Sequence, residues 1–65
     1  MKLIVNGSTL EVEAETLASA LVALDYGDAT VATAVNGAFV PKGARADRTL
    51  NDGDRIEIVA PRQGG

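Results

Sequence analysis

A chain of 65 residues with no cysteine and no histidine has room for one small domain and lacks the side chains for disulfides, zinc sites, thiol nucleophiles and imidazole acid–base catalysis. Nine acidic residues against six basic ones give a net charge of −3, which argues against a nucleic-acid partner, because that role demands a basic patch. The apolar share of 46% suffices for a core, but eleven of those residues are alanine and sixteen are leucine, isoleucine or valine, so the core is thin.

Residues 2–5 and 9–13 read as strands around Asn6-Gly7, a dipeptide whose positive φ angles suit a two-residue hairpin turn. Leu10 and Val12 alternate with Glu11 and Glu13. That places the two apolar residues inward, opposite Leu3 and Val5, and leaves Ile4 on the outer face. Leu17, Leu21 and Leu24 then recur at i, i+4 and i+7, one stripe of an amphipathic helix running from residue 17 to 25 or 26. Thr16 is expected to cap its start, and Gly27 to close its end in the left-handed conformation.

A third strand is expected over residues 31–36, with Val35 inward and Thr33 half buried. A second Asn-Gly, at 36–37, turns it into a short strand at 38–40, which Pro41 ends because it has no N–H for a ladder. Residues 42–48 read as an irregular loop or a short helical turn. Asn51-Asp52-Gly53-Asp54 reads as a tight turn; a calcium loop would need further spaced ligands and a closing glutamate. It leads into a last strand at 55–60, with Ile56 and Ile58 inward and Glu57 and Val59 outward. The order ββαβ(β)β is that of an α+β, β-grasp roll: a mixed sheet of four to five strands, one main helix on one face, and the first and last strands near the centre. A ferredoxin-like split βαβ arrangement needs a second full helix, for which the chain has no room.

Residues 1–60 are thus expected to form a single domain, and Pro61-Arg62-Gln63-Gly64-Gly65 a flexible tail beyond the last strand. No apolar run approaches the roughly 18 residues of a membrane-spanning helix, and residues 3–5 are too short a run for a signal peptide, so a cytoplasmic protein without a membrane partner is expected. Ser8 and Ser19 have no histidine to activate them. Ile4 and Val59 point outward from the first and last strands. Pairing of those strands would make them neighbours, with Ala34 and Phe39 extending an apolar docking face. Single exposed apolar residues are otherwise ordinary.

Met1-Lys2-Leu3-Ile4-Val5-Asn6-Gly7, Ala34-Val35-Asn36-Gly37 with Val40-Pro41, Leu50 with Asp52-Gly53-Asp54 and Ile56-Glu57-Ile58-Val59, and the closing Gly64-Gly65 together resemble the sulfur carrier proteins of thiamine biosynthesis, the ThiS family. The resemblance covers nearly the whole chain. Its specific part is the hairpin, the Asp-Gly-Asp turn and the terminal diglycine in this order. It implies a ubiquitin-like fold and a protein co-substrate of other enzymes, with no cofactor of its own and no enzymatic activity. The Gly65 carboxylate would be adenylated by a ubiquitin-activating-type adenylyltransferase using ATP. Sulfur from a donor such as a cysteine desulfurase would replace the adenylate, and a thiazole synthase would receive the thiocarboxylate. Pro61, Arg62, Gln63 and Gly64 would thread a partner's channel, where a Cβ at Gly64 or Gly65 would collide. Arg62 either pairs with an acidic channel wall or stays solvated. The small subunit of molybdopterin synthase, or another thiocarboxylate carrier, shares fold, tail and activation; the former family is usually longer and more apolar before its glycines than Pro61-Arg62-Gln63. A ubiquitin-like modifier or interaction module is the alternative of another class.

Overall fold

The computed structural model describes residues 1–27 and 29–60. Both Asn-Gly pairs do what their chemistry favours. β1 (Lys2–Val5) and β2 (Ser8–Glu11) form an antiparallel hairpin around φ angles of 49° at Asn6 and 86° at Gly7. Two consecutive positive angles define the type I′ turn, whose twist matches that of paired strands. β3 (Ala32–Val35) and β4 (Ala38–Val40) repeat the device, with 51° at Asn36 and 84° at Gly37.

Between the hairpins lies α1 (Leu17–Ala23). Thr16 caps it as its sequence position suggests: the Ser19 N–H donates to Thr16 Oγ1 at 3.2 Å, and the Thr16 N–H donates to Ser19 Oγ at 3.0 Å. That reciprocal pair is a capping box with serine in the place usually held by glutamate. The helix ends earlier than its periodicity predicts, and Gly27 does not close it. Asp25 takes the left-handed position, φ 67°, while the Asp25 N–H reaches the Val22 carbonyl and the Tyr26 N–H reaches that of Leu21. This is the bond pair of a Schellman motif, and a short polar side chain such as aspartate tolerates its left-handed residue. Residues 42–48, read as loop or helical turn, contain a 3-10 helix, η1 (Lys42–Asp47).

The described strands form one sheet in the order β2-β1-β5-β3-β4, where β5 is Arg55–Val59. β5 runs parallel to β1 and antiparallel to β3, so the sheet is mixed and the last strand is central. Leu3, Val5, Val35, Val40, Ile56 and Ile58 line its inner face and meet Leu17, Ala20 and Leu21 of α1, with Val12 and Leu50 closing the rim. Leu10 departs from its expected inward role. It pairs with Leu3, yet it is 39% exposed, because β2 is an edge strand with no neighbour beyond it. Thr33 departs in the other direction: it is fully buried, its hydroxyl donating to the Val40 carbonyl at 2.9 Å. No helix among the described residues is long and apolar enough to cross a membrane.

Two side-chain amides fasten β5. After Ile4 N–H to the Asp54 carbonyl and Asn6 N–H to the Ile56 carbonyl, the β1 backbone turns away into its hairpin. The Asn6 side chain continues the ladder, accepting from Ile58 N–H at 2.8 Å and donating to the Ile58 carbonyl at 3.1 Å. At the other end Asn36 Oδ1 accepts from Arg55 N–H at 2.9 Å, and its Nδ2 donates to Asp54 Oδ1 at 3.0 Å. Asp54 is 9% exposed, and its second oxygen accepts from Asn51 N–H at 2.8 Å. These bonds from Asn51 and Asn36, aided by the charge of Arg48, hold its carboxyl below the usual aspartate range against the opposing effect of burial.

Two tests follow from this geometry. Asn6→Gly keeps a residue suited to the positive φ but removes the clamp, and is expected to lower unfolding stability by about 1–3 kcal/mol in urea titrations. The depressed Asp54 pKa means the folded state favours the charged form, so its contribution is full above the ordinary value of about 3.8 and is lost as pH falls from there through the lower pKa of the folded state. Asp54→Asn is therefore expected to be less stable than the native chain at neutral pH, with a shallower loss of urea midpoint below about pH 5.

Candidate functional site

The inner face of the sheet is filled by α1, which leaves the outer face and the end of β5 open to a partner. The outer face is built in rows by the strand register. One row sets Thr9 beside Ile4 and Ile4 beside Arg55. The next sets Glu57 beside Ala34 and Ala34 beside Phe39; the next sets Val59 beside Ala32. Ala32, Ala34, Phe39 and Val59 therefore form one apolar patch, with Phe39 70% and Val59 62% exposed. A shallow dent lined by Thr30, Val31, Ala32 and Val59 continues it toward the end of β5.

Ile4 does not join that patch as expected. β1 and β5 do pair, but their register sets Ile4 against Arg55, four residues before Val59. At strand rise that offset is about 13 Å. Arg55 and Glu57 stand on the same face between them. Of the four residues foreseen as a docking face, Ala34, Phe39 and Val59 come together and Ile4 stands apart in a separate half-buried position. The residues foreseen as carrying the chemistry, Pro61, Arg62, Gln63, Gly64 and Gly65, lie outside the described residues. The last described residue, Ala60, is exposed and directly follows the clamped strand.

Other features of the site are invisible to periodicity. Arg45 is buried beneath the β3–β4 hairpin. Its Nε donates to Thr33 Oγ1 at 3.0 Å, and its Nη2 donates to the Val31 carbonyl. An arginine in a glycine- and alanine-rich loop offers no spacing signal; the inward polar Thr33 was the clue that something hydrogen-bonds there. The result stiffens the hairpin that presents Ala34 and Phe39. Asp52 and Asp54 serve the chain itself: Asp52 Oδ1 accepts from Lys2 N–H at 2.7 Å, and Asp54 holds Asn51 and Asn36. Ser19 caps α1.

Comparison with known proteins places this architecture. A crystal structure of a thiamine biosynthesis protein (ThiS) from Geobacter metallireducens is similar with a TM-score of 0.82 and 33% identity, covering the whole of both chains. A curated protein named thiazole synthase, from Paramagnetospirillum magneticum, is 39% identical over 66 residues. That match takes in all of this chain but 20% of the relative, so the chain spans one fifth of that protein's length. The model of the ThiS family matches residues 3–65, a span that includes the diglycine. With a β-grasp sheet of mixed order, a single main helix and a family match along nearly its full length, the chain belongs to the ThiS family.

Proposed function

We propose that this chain is a sulfur carrier for thiazole formation in thiamine biosynthesis, and that it acts as a protein substrate without catalysing a step itself. The observation that carries this reading is the family match over residues 3–65, a span that reaches the terminal diglycine. The relative named thiazole synthase favours thiazole over molybdopterin as the destination of the sulfur.

The chemistry needs no side chain of this protein. A carboxylate resists nucleophiles, because its negative charge and resonance oppose attack. A ubiquitin-activating-type enzyme joins the Gly65 carboxylate to AMP, taking the AMP from ATP and releasing pyrophosphate. The charge is thereby neutralised and a leaving group supplied. The outer sulfur of a partner's persulfide, loaded by a cysteine desulfurase, attacks the acyl carbon and AMP departs. A thiol then cleaves the resulting sulfur–sulfur bond and leaves a thiocarboxylate, which a thiazole synthase accepts. Absence of cysteine from the chain suits this scheme, since no thiol competes for the activated acyl group. Gly64 and Gly65 present no Cβ to a narrow channel, and Pro61, Arg62 and Gln63 form the lead that enters it. The patch of Ala34, Phe39 and Val59 is the surface the partner grips, and the cytoplasm is the setting.

Two outcomes are expected. Incubation with the activating enzyme, ATP and a cysteine-derived sulfur source exchanges one oxygen for sulfur at Gly65, read by intact mass and C-terminal fragmentation. Deletion of Gly65 lowers that exchange by about 100-fold or more while leaving the thermal midpoint unchanged; lysine conjugates in place of thiocarboxylate would identify a modifier instead. Phe39→Ala is expected to raise KM for the activating enzyme about tenfold with little change in kcat, as loss of an exposed aromatic anchor should.

A further inference from the structure

Asn-Gly is a chemically labile step. Glycine has no side chain to shield its backbone nitrogen, and asparagine is a thermolabile residue. The glycine nitrogen loses its proton and bonds to the asparagine Cγ, the side-chain nitrogen leaves as ammonia, and a five-membered imide forms. Water then opens the imide to aspartate or to the isoaspartyl linkage. No electrons change hands, and water is the co-reactant.

In this fold both labile amides are tied to β5. Asn36 engages Arg55 N–H and Asp54 through its side chain, and its own N–H donates to the Arg55 carbonyl at 2.8 Å. Asn6 holds both backbone groups of Ile58. Bringing Cγ over the following nitrogen requires those bonds to break, so reaction belongs to opened states. The two products would differ. An acid at position 6 keeps the bond from Ile58 N–H and loses the one to a carbonyl. An acid at position 36 keeps the bond from Arg55 N–H but faces the Asp54 carboxylate across a contact now 3.0 Å long. Asp54 is nearly buried and already holds Asn51; Arg48 is the cation acting on it, with one guanidinium nitrogen bonded to the Thr49 carbonyl. Two carboxylates at that separation do not both remain ionised without a large cost.

We propose that Asn36-Gly37 is a deamidation site guarded by the fold: it converts when β5 opens, and conversion sets a second acid against Asp54 and weakens the closure of β5. Peptide mass mapping of the full chain, incubated at mildly alkaline pH either folded or in urea, tests the guard. Acid formation at position 36 is expected to be at least about tenfold slower in the folded chain, because it tracks local opening; equal rates would overturn the proposal. Urea titrations of Asn36→Asp, Asp54→Asn and the double variant test the consequence. Each single variant is expected to lose stability. The double variant restores one amide and one carboxylate to the contact in reversed order and is expected to recover most of the loss. An Asn36→Asp chain as stable as the native one, or a double variant no better than the weaker single, contradicts it.

Discussion

β5 sits between a parallel neighbour and an antiparallel one, and both neighbours leave it early for hairpin turns. Backbone groups at its two ends would then stand unpaired in a half-buried sheet, at a cost of about 1–3 kcal/mol for each buried one. The turn asparagines fill those places, Asn36 at Arg55 and Asn6 at Ile58. One residue type thus does two jobs: its backbone accepts the positive φ of the turn while its amide imitates a strand residue. Everything else in the molecule rests on that central strand. Ile56 and Ile58 are pinned inward against α1, Glu57 and Val59 outward, and the chain leaves toward residue 61 from a fixed point.

Polar ties matter more here than in a larger domain. A core of mostly medium aliphatic side chains supplies limited burial, and the sheet's inner face carries a threonine at full burial. Arg45 makes that tolerable by engaging the Thr33 hydroxyl and the Val31 carbonyl, with Thr33 in turn donating to Val40. Among the described residues no buried side-chain nitrogen or oxygen lacks a partner. The hairpin bearing Phe39 is consequently firm, which suits a patch whose proposed role is to be gripped repeatedly by larger partners.

Elements with a local cause were legible in the amino-acid order. The two Asn-Gly pairs located the hairpins, Thr16 announced the helix start, and the element order pointed to the β-grasp sheet. What escaped was decided by contacts distant in sequence. The choice of Asp25 over Gly27 to end α1 depends on where Tyr26 packs against the core. The separation of Ile4 from Val59 depends on a register set by Asn6 and Ile58, fifty-two residues apart. Arg45 gave no periodic signal at all. For the proposed chemistry the balance is reversed: the diglycine is wholly a sequence feature, and the described structure contributes the handle that presents it.

The carrier reading is tested most directly by a single turnover with isotopically labelled sulfur. The chain is charged at Gly65 with the label, freed of ATP and the activating enzyme, and mixed with a thiazole synthase and its small-molecule substrates. The account predicts that the label moves into the thiazole product while the chain returns to the mass of an ordinary carboxylate. Label that stays on Gly65, or a chain that ends joined by an amide bond to another protein, would contradict it.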